Sequence, residues 1–160
     1  MASKTLITPE QYLATPYDWE PDYVHGELVE KPLPNRVHGG LQQRLGVLLD
    51  HAGYCCVEVR HRLAEDLFRR PDVLLFEGAG PTELVPKSPP MVIVEITSPD
   101  DTVHELLEKC EEYRVWSVPN IWVVEPELRK FYVYTAGLKE TTQFELPAQN
   151  VTITPADLFE

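Results

Sequence analysis

The chain has 160 residues, 43% hydrophobic and 25% charged, and fourteen lysines and arginines against twenty-six aspartates and glutamates leave a formal net charge of −12. This is the composition of an ordinary globular protein, and a chain of this length fits one domain (1–160) whose core needs neither disulfides nor a structural metal. No run of about 18 apolar residues is present to cross a membrane, three cysteines make neither a disulfide framework nor a C-x-x-C zinc site, and the acidic balance argues against a basic surface that coats nucleic acid nonspecifically. Met1–Pro9 lacks the basic-then-apolar pattern of a signal peptide. Together with the cysteine usage this points to a reducing cytoplasm and no membrane partner.

Thr8-Pro9-Glu10-Gln11 predicts a helix start: Thr8 as cap, Pro9 at the first helical position, Gln11 closing a capping box, and a short helix to about Ala14. Tyr23–Glu30 reads as two short strands about a His25-Gly26 turn. Val37, Leu41, Leu45, Leu48, Leu49 and Ala52 have helical spacing, and Gly53 follows as a stop. Val57, Val59, His61 and Leu63 alternate with Glu58, Arg60 and Arg62 as in a half-buried strand, with Asp72–Phe76 as its hairpin partner.

Met91–Ile96 is a continuous apolar run broken only by Glu95 and reads as a buried central strand. Thr102–Trp116 is helical, with Val103, Leu106, Leu107, Cys110 and Tyr113 on one face, and Ile121–Val124 is another buried strand. Met91 to Val124 should therefore form a parallel crossover. Phe131–Tyr134, Thr142–Leu146 and Val151–Thr154 look like later, partly antiparallel strands. The expected fold class is mixed α/β (α+β), a mixed central sheet flanked by helices.

The informative feature is acids at the ends of apolar strands. A buried carboxylate is costly unless it is paired, hydrogen-bonded or bound to a metal. Glu95 lies in such a strand, and Asp72 opens another directly after Pro71. If the strands are neighbours, both face one cleft edge, and two hard oxygen ligands suit Mg²⁺ or Mn²⁺. The blander reading has Asp72 capping a turn and Glu95 paired with Arg69 or Arg70. Lys109 borders the apolar face of the following helix, near the strand's carboxyl end, where open sheets place their sites. Taken alone, it is a Glu105–Lys109 surface pair. Glu27 is a further metal ligand or a solvated hairpin residue, and His38 a phosphate or proton-transfer group or a surface histidine. Arg60 and Arg62 share a strand face and would line a substrate groove or a solvated edge. The remaining histidines lack zinc-ligand spacing, Ser98 is not in a nucleophile elbow, and no glycine-rich phosphate loop is present. Trp116 and Trp122 read as core residues.

Taken in order, Tyr23–Glu30, His38 ahead of an amphipathic helix, Arg70-Pro71-Asp72-Val73, Val92–Pro99, then Glu105, Lys109 and Tyr113, and Val118–Pro126 resemble the Uma-two family of restriction endonucleases, within the PD-(D/E)XK nuclease superfamily. The resemblance runs from about Thr8 to Asp157. It implies a restriction-endonuclease-like fold, Asp72 as first acid, Glu95 as second, and a lysine migrated from the position of Thr97 to Lys109. It also implies Glu27 as the early acid and Tyr113 one turn after the lysine. Two positions depart from the family pattern: His25 and Glu105 stand where aspartates are usual. The implied activity is Mg²⁺-dependent hydrolysis of DNA phosphodiester bonds, with Asp72, Glu95 and the Ile96 carbonyl holding the metal, Lys109 and Glu27 completing the site, and His38, Arg60, Arg62 and Tyr113 near the substrate. A homodimer would suit duplex cleavage, which needs two cuts. The rival classes are an inactive nuclease-fold binding module and a small-substrate phosphodiesterase.

Overall fold

The computed structural model describes residues 5–160, so Met1–Lys4 of the N-terminal stretch lie outside the described residues. Helix α1 (Pro9–Ala14) has the capping box expected of Thr8 and Gln11. Strands β1 (Asp22–Val24) and β2 (Glu27–Val29) form an antiparallel hairpin. His25 and Gly26 both have positive φ, 50° and 92°, as a two-residue turn of the primed type requires. Helix α2 (Arg36–Leu49) is capped by Asn35, whose side chain accepts from the His38 N–H, and runs into a 3₁₀ turn at Asp50–Ala52. Gly53 ends the run because its backbone passes Phe76 so closely that a Cβ there would lie 2.1 Å from the Phe76 carbonyl oxygen.

The strand expected over Val57–Leu63 is two strands in different sheets. β3 (Tyr54–Val57) pairs with β6 (Val73–Phe76), whereas β4 (His61–Ala64) pairs with β5 (Leu67–Arg69). Glu58, at φ 56°, leaves the extended region and makes the break. An alternating pattern cannot reveal such a break, because both halves keep their period of two. β7 (Val92–Ile96), α3 (Val103–Val115) and β8 (Asn120–Glu125) form the expected unit, with β7 and β8 parallel. Val103 and Leu107, expected on the buried face of α3, are 69% and 37% exposed; Cys110 and Tyr113 carry that face. The chain continues through β9 (Lys130–Tyr134), β10 (Leu138–Thr141), β11 (Phe144–Leu146), β12 (Val151–Ile153) and α4 (Pro155–Phe159). β10 and α4 were not expected from the sequence, being short elements without a full amphipathic period.

The main sheet has the order β10-β9-β8-β7-β6-β3 and is mixed, antiparallel except at β7–β8. A second sheet, β2-β1-β5-β4, and the β11–β12 hairpin complete the architecture. The alternation of side chains divides the core. Val73, Leu75, Val92, Val94 and Trp122 pack with Leu41, Leu45 and Leu49 of α2 and with Phe144 and Ile153. Leu74, Ile93, Ile121 and Val123 pack with Cys110 and Tyr113 of α3. The main sheet is thus covered by α2 on one face and α3 on the other. Among the described residues, no helix is long and apolar enough to cross a membrane, and all three cysteines are free thiols.

Arg69 ties the second sheet to α3. Its guanidinium donates to both carboxylate oxygens of Glu112, at 2.7 and 2.9 Å, and to Asp22 Oδ2 at 3.3 Å, while Asp22 Oδ1 accepts from the Arg70 N–H. Removing one partner of a buried ionic network strands the others without compensation. Arg69→Ala therefore lowers the unfolding free energy by about 3–5 kcal/mol in a urea titration; a loss below about 1 kcal/mol, the range of a surface pair, contradicts this role.

Candidate active site

Register places the two acids together. β6 and β7 pair antiparallel with Val73 opposite Val94 and Leu74 opposite Ile93. One step further sets Asp72 opposite Glu95, on the sheet face that packs against α3, where directly opposed side chains are neighbours. Both are almost fully buried, at 2% and 4% exposure. They line one cavity of about 180 Å³ together with Lys31, His38, Glu58, Thr97, Asp101 and Lys109.

Asp72 is held on every side. Its Oδ2 accepts from the Ile96 N–H at 2.7 Å. Its Oδ1 faces Lys31 Nζ at 3.3 Å and His38 Nε2 at 3.2 Å. Its backbone carbonyl accepts from Gln42 Nε2 at 3.1 Å and from the Glu58 N–H at 3.3 Å. Glu95 has a separate set of partners: Tyr113 donates its hydroxyl to Oε1 at 2.6 Å, and Lys109 Nζ lies 3.5 Å from Oε2. Glu95 thus pairs with Lys109, not with Arg69 or Arg70. Glu105 instead caps α3 through Thr102, and the close ion pair of Lys109 is with Glu95.

The two carboxyls are driven apart in acidity. Burial disfavours the charge on Asp72, but His38, Lys31 and the Ile96 N–H outweigh it and hold that carboxyl well below its ordinary range. Burial pushes Glu95 up; Lys109 offsets part of this, and the Asp72 charge adds to it. Glu95 in turn keeps Lys109 protonated above its ordinary range, against the effect of burial. Neighbouring groups whose environments separate their titrations are a common signature of a reactive site.

Two comparisons bear on the family and the fold. A family model described as "Uma2: Putative restriction endonuclease" matches residues 9–160. The chain belongs to the Uma2 family. Among solved structures, a putative nuclease belonging to DUF820 from Anabaena variabilis superposes with a TM-score of 0.79 at 18% identity, covering 96% of this chain and 97% of that one. At that identity the likeness concerns the fold, which is restriction-endonuclease-like. No curated protein matches the chain.

Within this Uma2 chain the expected site residues separate into three groups. Asp72, Glu95, Lys109 and His38 come together in the cavity. Tyr113 reaches Glu95 but is fully buried, so it positions the acid and does not touch a substrate. Glu27, Arg60 and Arg62 are elsewhere. Glu27 stands at the start of β2 opposite Val24, beside the hairpin turn, and is not among the residues lining the cavity. Arg60 lies over the Tyr12 ring and Arg62 over the Phe68 ring, each at 5.1 Å, and Arg62 also donates to the Ala64 and Glu65 carbonyls. Both follow the break at Glu58, and neither is among the residues that line the cavity.

Sequence reasoning missed Lys31, Gln42 and Glu58. Gln42 had a signal, a polar residue between Leu41 and Leu45 on an apolar helix face; it donates to Glu58 at 2.9 Å as well as to Asp72. Lys31 and Glu58 lie outside regular elements and had none. The donor set suits a hard divalent cation: the carboxylate residues Glu58, Asp72 and Glu95 line the cavity, and no cysteine does. His38, Glu58 and Asp72 also each offer one ligand atom, all within 4.8 Å of one another.

Because the folded Asp72 carboxyl titrates below its ordinary value of 3.8, its contribution to stability is present above that pH and is lost as pH falls toward the folded value. Urea unfolding of the metal-free protein should show stability falling below about pH 4, with a shallower fall in Asp72→Asn. Equal slopes in the two proteins contradict the assignment.

Proposed function

We propose that this Uma2 protein is a metal-dependent endonuclease that hydrolyses DNA phosphodiester bonds. The observation that carries the reading is the register that sets Asp72 beside Glu95 in one cavity, with Lys109 on Glu95. Asp72, Glu95 and the Ile96 carbonyl would hold Mg²⁺ or Mn²⁺. When bound, such a cation lowers the pKa of a coordinated water and polarises the phosphate. Lys109, kept protonated by Glu95, orients the attacking water or stabilises charge developing on the phosphoryl oxygens. Tyr113 fixes the Glu95 carboxylate from below, and His38 fixes Asp72. DNA is the substrate class that the family name supports.

The charge of −12 limits how DNA is approached. It disfavours broad phosphate contact, and because acids outnumber Lys31 and Lys109 in the cavity lining, a bound divalent cation would supply the local attraction for a phosphate. Cutting both strands of a duplex takes two such sites, which two copies of the chain would provide.

The test is cleavage of plasmid and single-stranded DNA with Mg²⁺ and with chelator. Cleavage should require the metal, and Asp72→Asn, Glu95→Gln and Lys109→Ala should each lower the rate by about 10²-fold or more while the circular dichroism spectrum is retained. Full activity in all three variants overturns the reading.

A further inference from the structure

Each buried acid of the cavity has a lysine of its own. Lys109 serves Glu95; Lys31, from the connection between β2 and α2, serves Asp72. The Lys31 side chain is only 10% exposed, and its ammonium is surrounded by oxygen: the Arg70 carbonyl at 2.5 Å, Asp72 Oδ1 at 3.3 Å and Glu58 Oε2 at 3.7 Å. A carboxylate has about four lone-pair directions, and three of those on Asp72 are taken, by Ile96, His38 and Lys31.

These three partners differ in freedom to move. The Ile96 N–H belongs to the central strand. His38 is a short ring on the first turn of α2, whose start is pinned by Asn35. Lys31 sits on a flexible four-carbon stem in a connection. A divalent cation approaching Asp72 therefore meets a positive charge next to its ligand atom, and the partner able to yield is Lys31.

We propose that Lys31 is a second lysine of the reaction: a resident counter-cation of Asp72 in the metal-free protein, which gives up that oxygen when a divalent cation binds and turns to the substrate phosphate. The proposal rests on the nuclease reading above. It makes Lys31 an opponent of metal binding and a contributor to cleavage, a combination that a purely structural ion pair does not produce.

Mn²⁺ titration of the DNA-free protein, with free Mn²⁺ followed by electron paramagnetic resonance, separates the two parts. Lys31→Gln should bind Mn²⁺ about tenfold more tightly than the parent protein, because a repelling charge is gone. Lys31→Arg should stay within about twofold, and Asp72→Asn should bind weakly. At saturating Mn²⁺, Lys31→Gln should cleave DNA about 10²-fold more slowly. Lys31→Met, which keeps the length of the stem, replaces the glutamine variant if that one is not folded. A folded neutral variant that binds Mn²⁺ no more tightly, or that cleaves at the parent rate, overturns the role of Lys31 while the nuclease reading stands. A parent protein with no Mn²⁺ site removes both.

Discussion

The Asp72 carboxylate is the interaction on which the rest of the site depends. It is buried at the junction of β6 with the strand break at Glu58, where desolvation alone would drive it to the neutral form. Three elements prevent that: the Ile96 N–H of β7, His38 of α2, and Lys31 from the connection after β2, while Gln42 of α2 holds the Asp72 backbone carbonyl. Holding one anion thus fixes the central strand, a covering helix and the smaller sheet relative to each other. The same contacts keep a charged oxygen facing the cavity, which is what a hard cation requires.

Glu95 shows the opposite economy. It has one hydrogen-bond donor in Tyr113 and one cation in Lys109, too little to offset its burial in full. Two adjacent carboxylates, one rich in partners and one poor, leave unmatched negative charge in the cavity, the condition under which a divalent cation would be held. The charge of the chain follows the same logic locally: buried acids are matched by buried cations, as with Arg69 between Glu112 and Asp22. The cavity as a whole stays acidic, because Glu58, Asp101, Glu125 and Glu127 line it beside the two paired acids.

The central unit was legible in the sequence because its signals are strong and periodic. The continuous run at Val92–Ile96, the amphipathic spacing of α2 and the capping boxes at Thr8 and Thr102 each specify one element. Acids at the ends of apolar strands then marked Asp72 and Glu95. What stayed hidden depends on contacts distant in sequence. The strand break at left-handed Glu58 is followed by Arg60 and Arg62 lying over the Tyr12 and Phe68 rings, away from the supposed groove. Lys31 lies 41 positions from Asp72, in a segment without periodicity. Glu27 carried the family pattern, yet the hairpin leaves it beside the turn while the chain beyond the same strand delivers Lys31 to the cavity.

The most direct test of a cation site centred on Asp72 and Glu95 is anomalous diffraction from crystals grown with Mn²⁺. The expected result is a peak within coordinating distance of both carboxylates, about 2.0–2.3 Å for oxygen ligands, with Lys31 no longer on Asp72. A peak confined to His38 and Glu58, or an Asp72 still paired with Lys31 and no ion beside it, would contradict it.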